Sequence, residues 1–122
     1  MTGAIRAILV VDDEMDYLTT YERLLGRQGY RVVTASTCEA ALAALAREPF
    51  SVAIVDIRLP DGDGLEIVRR ARALPRPPRA MVVTGVGSED AREAALAAGA
   101  ADFLSKPFTA AALSDRVRDL AG

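Results

Sequence analysis

The segment IRAILVVDDE, residues 5–14, joins a continuous apolar run to three acidic residues. Apart from Arg6, the run over residues 5–11 is aliphatic and does not alternate with polar side chains, as expected of a strand buried on both faces of a parallel sheet. Asp12, Asp13 and Glu14 follow directly. The segment therefore predicts a central strand whose carboxyl end presents acidic side chains.

Four further apolar runs follow, and segments with helical spacing separate them. Together with the first run, the five apolar runs cover residues 5–11, 30–34, 51–55, 80–84 and 102–105. Strands that alternate with helices of roughly ten or more residues form right-handed crossovers, and hence a parallel sheet covered on both sides. We expect a single domain over residues 1–122, of the α/β class, with a doubly wound five-stranded parallel sheet.

The helical segments carry apolar stripes at a spacing of three or four residues. The stripes are Tyr17, Leu18, Tyr21, Leu24 and Leu25; Cys38, Ala41, Leu42 and Leu45; Leu65, Val68 and Ala71; Ala91, Ala94, Ala95 and Ala98; and Leu113, Val117 and Leu120. Ser36 or Thr37 is expected to cap the start of the second helix, and Gly29 and Gly99 are expected to follow helix ends.

The composition excludes several classes of protein. The chain has 122 residues, 15 basic against 17 acidic side chains, no histidine and one cysteine. A net charge of −2 argues against electrostatic binding of nucleic acid or of an anionic membrane. The lack of histidine excludes an imidazole base or metal ligand. No apolar run approaches the roughly 20 residues that span a bilayer, so we expect a cytoplasmic domain.

Polar side chains follow four of the five predicted strands. They are Asp12, Asp13 and Glu14 after the first, Asp56 after the third, Thr84 at the end of the fourth, and Lys106 and Pro107 after the fifth. In an open parallel sheet, ligands bind at the carboxyl ends of the strands. If the first and third strands are neighbours, three carboxylates meet there, and their repulsion calls for a cation. An all-oxygen site suits Mg²⁺ or Mn²⁺.

The same edge can bind a phosphoryl group. Lys106, the only lysine of the chain, adds an ammonium group, and Thr84 adds a hydroxyl group. A cation, an ammonium and a hydroxyl around Asp56 would neutralise an attacked phosphorus centre, with Asp56 as the nucleophile that forms an acyl phosphate. The structural alternative is that Asp12 and Asp13 only form a turn before a helix. The joint occurrence of these residues at four strand ends favours the functional interpretation.

Four motifs together resemble the receiver domain of two-component response regulators. They are VVDDE at residues 10–14, VDIRLPDGDG at 55–64, VTG at 83–85 and FLSKPF at 103–108. The resemblance covers essentially the whole chain, in order and at the expected spacing. It implies a flavodoxin-like (βα)5 fold with strand order 2-1-3-4-5. It also implies a signalling domain rather than an enzyme, with no activity beyond self-catalysed phosphorylation and dephosphorylation.

The resemblance assigns a role to each site residue. It implies that Asp56 accepts a phosphoryl group from a phosphohistidine on a sensor histidine kinase or phosphotransfer protein. The implied Mg²⁺ ligands are Asp13, Asp56 and the backbone carbonyl of Arg58, with Asp12 acting through a bound water. Thr84 and Lys106 would hold the phosphoryl oxygens, with room left by Gly85, and the Lys106–Pro107 peptide bond would be cis.

A conformational switch is also implied. On phosphorylation, Thr84 would move toward Asp56, and Phe103 would rotate inward and repack the face formed by the fourth helix, fifth strand and fifth helix. A phosphorylation-dependent homodimer on this face stays open, and so does the alternative that Phe103 is an ordinary core residue.

Arg58 and Val86 flank the path of a hydrolytic water and are expected to tune the lifetime of the acyl phosphate.

Two other functions compete with the switch. A degenerate receiver would act only as a protein-binding module, although every expected site residue is present. A phosphohydrolase that uses an aspartyl phosphate would need a second acid two residues after the nucleophile, where Arg58 stands. The segment from Asp61 to Gly64 is expected to form only the turn into the third helix.

Overall fold

The computed structural model describes residues 6–85 and 88–122. Ile5 of the first predicted run and Val86 of the predicted tuning pair lie outside the described residues. The strands of the main sheet are β1 (Ala7–Val11), β2 (Arg31–Ala35), β3 (Val52–Val55), β4 (Arg79–Thr84) and β5 (Asp102–Ser105). The helices are α1 (Met15–Arg27), α2 (Cys38–Arg47), α3 (Gly64–Arg72), α4 (Glu89–Ala98) and α5 (Ala110–Ala121).

The five strands form one parallel sheet in the order β2-β1-β3-β4-β5. The predicted fold class and strand order are therefore confirmed. The register pairs Val11 of β1 with Val55 of β3, and Thr84 of β4 with Ser105 of β5. These pairs align the carboxyl ends of the strands at one edge of the sheet, which we call the carboxyl edge.

Helices cover both faces of the sheet. Successive side chains of each strand point to opposite faces, and apolar side chains on both faces are buried under helices. On one face, Ile8, Val10 and Ile54 pack in one core cluster with side chains of α1 and α5. On the other face, Leu9 and Val55 belong to a second cluster with side chains of α2, α3 and α4. The continuous apolar runs of the sequence are explained by this burial on two faces.

The predicted helix caps agree with the structure. Thr37 caps α2, and its hydroxyl accepts a hydrogen bond from the N–H of Ala40 at 3.0 Å. Gly99 ends α4 in the left-handed region with a φ of 115°, where a side chain would be strained. One predicted stripe is partly wrong, because Ala94 is exposed while Ala95 and Ala98 are buried. Among the described residues, we find no helix with the length and hydropathy of a membrane span.

A short hairpin after β3 was not predicted. Arg58–Leu59 pairs with Gly62–Asp63 in an antiparallel bridge of two residues each, where the sequence predicted only a turn. The hairpin returns the chain to Asp56, because the N–H of Gly64 donates to the carbonyl of Ile57 at 2.7 Å. A Cβ atom at Gly64 would lie 1.9 Å from the carbonyl oxygen of Asp56, so only glycine fits there.

Candidate functional site

Backbone hydrogen bonds extend the sheet one residue beyond β1, β3 and β5 at the carboxyl edge. The N–H of Asp56 donates to the carbonyl of Val11 at 2.9 Å, and the N–H of Asp12 donates to the carbonyl of Ala35 at 3.0 Å. The N–H of Lys106 donates to the carbonyl of Thr84 at 2.9 Å. The backbone positions of Asp12, Asp56 and Lys106 are therefore fixed by the hydrogen bonds of the sheet, although the three residues are far apart in the chain.

Four carboxylates meet at this edge. Asp12, Asp13, Glu14 and Asp56 each offer an oxygen atom, and these atoms all lie within 4.8 Å of one another. Asp12 is 1% exposed and Asp56 is 7% exposed, whereas Asp13 and Glu14 are open to solvent. We call this group the acidic cluster. It has a buried floor and an open side through which a ligand can enter.

Lys106 supplies the positive charge of the cluster. Its Nζ lies 2.7 Å from Asp12 Oδ2, 2.9 Å from Asp56 Oδ2 and 3.2 Å from Glu14 Oε1, and its side chain is 7% exposed. Burial taken alone would lower the pKa of Lys106. The contacts with Asp12 and Asp56 outweigh that effect and raise the pKa well above its ordinary value. The ammonium group is therefore permanently charged at neutral pH.

The pKa of Asp12 is raised above its ordinary value. Burial raises its pKa, while the contact with Lys106 and the N–H of Glu14, which donates to Asp12 Oδ1 at 2.9 Å, lower it in part. The charge of Asp56 adds a further upward shift. Among the described residues, the buried Oδ2 of Asp12 has no well-aligned hydrogen-bond donor, and its charged partner is the Lys106 ammonium at 2.7 Å.

The acidic cluster fits a divalent cation of the hard type. All of its donor atoms are carboxylate oxygens, one side is open to water, and one buried acceptor lacks a hydrogen bond. Mg²⁺ and Mn²⁺ prefer oxygen ligands and keep several waters. Lys106 alone offsets only one of the four negative charges, so a bound cation would relieve the remaining repulsion.

The other predicted site residues surround this cluster. Thr84 is 1% exposed at the end of β4, and Gly85 beside it is exposed, with open space where a Cβ atom would lie. The Lys106–Pro107 peptide bond is cis. Arg58 donates its backbone N–H to Asp56 Oδ1 at 3.3 Å. Its side chain is exposed and has no ion-pair partner within residues 6–85 and 88–122.

Phe103 lies outside the acidic cluster. It is half-buried on β5 and packs against the core on the side of α2, α3 and α4. Arg116 of α5 fixes the backbone at this point, because its Nη1 lies 2.7 Å from Asp102 Oδ1 and 3.3 Å from the carbonyl oxygen of Phe103. The ring itself is only partly buried.

Sequence reasoning missed two residues of the site. Glu14 belongs to the acidic run, from which no role for it is predicted, but it contacts Lys106 and belongs to the acidic cluster. The sequence places Tyr17 only on the apolar stripe of α1. Its ring lies against the ammonium of Lys106, with Nζ 4.0 Å from the ring centroid. No signal in the sequence distinguishes this tyrosine from an ordinary core residue.

The chain is similar to known signalling proteins. A family model described as "Response regulator receiver domain" matches residues 8–118. The chain is 37% identical to the photosynthetic apparatus regulatory protein RegA of Rhodobacter capsulatus, over 88% of this chain and 59% of RegA. It is 43% identical to the response regulator protein PilR of Pseudomonas aeruginosa, over 89% of this chain and 24% of PilR. The chain thus spans only part of the length of these relatives.

Solved structures share the fold. A CheY-like receiver domain protein from Methanospirillum hungatei superposes with a TM-score of 0.91 at 31% identity, covering 97% of this chain and 94% of that one. The receiver domain of sensor histidine kinase PA1611 from Pseudomonas aeruginosa has a TM-score of 0.88 at 30% identity, with 98% and 99% covered. That structure holds a magnesium ion coordinated in the active site cleft.

Proposed function

This chain belongs to the family of response regulator receiver domains, and we propose that it is a switch in which Asp56 accepts a phosphoryl group. The observation that carries the proposal is the position of the Asp56 carboxylate. One oxygen lies 2.9 Å from Lys106 Nζ, and the carboxylate stands at the buried end of an acidic cluster that is open to solvent. A nucleophile, a fixed cation and an entry path for the phosphoryl donor are therefore combined.

The proposed reaction uses the groups of this edge in named roles. A carboxylate oxygen of Asp56 attacks the phosphorus of a phosphohistidine on the partner kinase or phosphotransfer protein. A P–O bond forms as the P–N bond breaks, and the imidazole leaves with the bonding electron pair and takes up a proton. Lys106 holds the carboxylate in place before attack and a phosphoryl oxygen afterwards. Thr84 supplies a hydroxyl donor from the end of β4.

Loss of the phosphoryl group returns the switch to its resting state. Water attacks the phosphorus, the P–O bond to Asp56 breaks, and inorganic phosphate leaves while the carboxylate is restored. Arg58 and Val86 are proposed to set the access of that water. The exposed side chain of Arg58 is consistent with this role, since its guanidinium is free to approach a phosphoryl group on Asp56.

The proposed cofactor is Mg²⁺, with Mn²⁺ as a substitute. Asp13, Asp56 and the backbone carbonyl of Arg58 would be its ligands, and Asp12 would act through a bound water. When bound, the ion would neutralise negative charge on the carboxylates and on the phosphoryl oxygens. The magnesium in the cleft of the PA1611 receiver domain supports this assignment. A response regulator of Burkholderia pseudomallei, which is 29% identical to this chain, also supports it. The structure of that protein contains a phosphorylated aspartic acid and a calcium ion.

The proposed output is a change at the face formed by α4, β5 and α5. Attraction of the Thr84 hydroxyl to the phosphoryl group would leave space on the inner side of β5, and Phe103 would turn into it. The partial burial of Phe103 supports this movement, because a ring that is already fully buried could not become more buried. A partner domain or a second copy of the chain would bind the repacked face.

The test is phosphorylation by a small-molecule donor. With acetyl phosphate and Mg²⁺, the chain is expected to gain the mass of one phosphoryl group, and the Asp56→Asn variant is expected to gain none. Asp90→Asn, at an exposed position in the first turn of α4, is the matched control and keeps the gain. A folded wild-type chain that gains no mass would instead indicate a binding module. Sustained release of phosphate from esters would indicate a phosphohydrolase.

A further inference from the structure

An aromatic ring lies over the ammonium group of the site. Lys106 Nζ stands 4.0 Å from the centroid of the ring of Tyr17, which lies in the first turn of α1. The carboxylates of Asp12, Asp56 and Glu14 contact the same ammonium. Ring and carboxylates together leave only 7% of the Lys106 side chain exposed.

The Tyr17 ring is held in place by its neighbours. Its centroid lies 5.6 Å from that of Phe108, with the planes inclined by 52°, and 6.3 Å from that of Tyr21, inclined by 38°. Tyr21 and Phe108 stack on each other at 5.7 Å. Tyr21 is almost fully buried, which anchors the group of three rings in the core between α1 and the start of α5.

A fixed ring has a specific effect on a lysine. The ammonium of lysine is a compact charge on a flexible stem of four carbons, so its position depends on its surroundings. The negative face of an aromatic ring attracts a cation, and the attraction grows when water is excluded. The ring also fills space into which the stem could otherwise turn. Both effects restrict Lys106 to positions near Asp56.

We infer that Tyr17 is a positioning residue, whose ring face holds the Lys106 ammonium toward the phosphoryl group on Asp56. The inference rests on the proposed function of Asp56 and adds a residue outside the four motifs. It requires the aromatic face and does not require the hydroxyl group. Tyr17→Phe is therefore expected to retain the effect, and Tyr17→Leu is expected to lose it.

The placement of the ring can be tested on the wild-type chain by NMR. Lys106 is the only lysine, so lysine labelled at the ε carbon gives one methylene signal. Protons over an aromatic face are shielded, so the ε protons are expected upfield of their position in the denatured chain. The shift persists in Tyr17→Phe and disappears in Tyr17→Leu. An unshifted signal in the folded wild type would overturn the inference.

The consequence for the reaction is tested by the rate of phosphoryl uptake from acetyl phosphate with Mg²⁺. Tyr17→Leu is expected to slow uptake by roughly three- to tenfold, whereas Tyr17→Phe stays within about twofold of the wild type. Tyr30→Leu is the matched control. It makes the same change at a half-buried tyrosine beside the far end of α1, where the N–H of Tyr30 donates to Leu25. Its rate is expected to equal that of the wild type.

The other possible results separate the inference about Tyr17 from the proposed function of Asp56. Unchanged uptake in Tyr17→Leu, or equal slowing in Tyr30→Leu, would overturn it, since the ring over Lys106 would then have no specific effect. Equal slowing in Tyr17→Phe would assign the effect to the hydroxyl group. Should Tyr17→Leu unfold, Tyr17→Met replaces it with a flexible apolar side chain. A wild-type chain that takes up no phosphoryl group while the NMR shift is present would contradict the proposed function and leave the placement of the ring intact.

Discussion

Lys106 Nζ lies 2.9 Å from Asp56 Oδ2, although the two residues are 50 positions apart in the chain. The contact joins the ends of β3 and β5, which are separated in the sheet by β4. Only a long side chain can reach across that interval, and a lysine reaches it with a single compact charge. The site therefore depends on the register of three parallel strands as much as on the residues themselves.

Replacement of Lys106 is expected to slow phosphoryl uptake. Lys106→Met removes a charge-assisted hydrogen bond to the reacting carboxylate, and the loss of such a bond corresponds to roughly a tenfold to hundredfold lower rate. The measurement is the initial rate of mass gain with acetyl phosphate. Lys106→Arg should not restore the rate, because a planar guanidinium has a different shape. Full activity of the arginine variant would show that charge alone is sufficient.

Mg²⁺ is expected to stabilise the folded chain. An ion that binds only the folded state adds about 2.7 kcal/mol to the free energy of unfolding at a concentration of 100 times its Kd. Urea denaturation with Mg²⁺, and again with a chelator, measures this gain. Asp13→Asn should reduce it, since Asp13 belongs to the acidic cluster. Asp16→Asn, at an exposed position nearby, should not. An equal gain in both variants would place the ion elsewhere.

Gly64→Ala is expected to destabilise the chain strongly. The new methyl group would lie 1.9 Å from the carbonyl oxygen of Asp56, so the hairpin or the end of β3 must shift, at a cost of about 2–3 kcal/mol. Gly26→Ala is the control, because nothing lies within 4 Å of its Cβ position in α1. It should stabilise by about 0.5–1 kcal/mol. Urea denaturation compares the two, and similar values would contradict the close approach at Gly64.

Asp61 is expected to stabilise α2 in a pH-dependent way. Its carboxylate accepts hydrogen bonds from the N–H groups of Cys38 at 2.7 Å and Glu39 at 3.0 Å, and these bonds lower its pKa below the ordinary value of 3.8. A lowered pKa means that the contribution is fully present above the unfolded-state pKa and is lost as pH falls through the folded-state pKa. Asp61→Ala should lower Tm near neutral pH and lose that difference in acid. A difference independent of pH would contradict this cap.

Arg58→Ala is expected to change the lifetime of the acyl phosphate. The guanidinium is exposed beside Asp56, so it can shield the phosphoryl group from water or pair with it, and its removal should speed hydrolysis. The measurement is the decay of the phosphorylated chain after the donor has been removed. Arg47→Ala, exposed at the end of α2, is the control. Equal lifetimes of all three chains would exclude a role for Arg58.

Much of the fold follows from local features of the sequence. Continuous apolar runs that alternate with helical segments are typical of a parallel sheet buried on both faces, and such a sheet places Asp12, Asp56 and Lys106 at one edge before any coordinates are known. The hairpin at Arg58–Leu59 escaped prediction because two-residue strands carry no periodicity. Its position is set by the close packing of Gly64 on Asp56, which is a tertiary contact.

The contact between Tyr17 and Lys106 could not be predicted for a related reason. Tyr17 lies on the apolar stripe of α1, and a tyrosine on such a stripe is expected to pack in the core. Whether its ring meets another ring or an ammonium depends on how α1 lies against the end of β5. That arrangement is fixed by packing between elements distant in the chain, which leaves no periodic signal.

The central claim is that Asp56 is the residue that carries the phosphoryl group. Borohydride reduces an aspartyl phosphate to homoserine, so peptide mass mapping of the treated, phosphorylated chain locates the acyl phosphate directly. The account predicts homoserine at position 56 when the donor and Mg²⁺ are both present, and an unchanged aspartate when the donor is omitted. Homoserine at position 12 or 13, or a phosphate ester on a serine or threonine with position 56 unchanged, would contradict it.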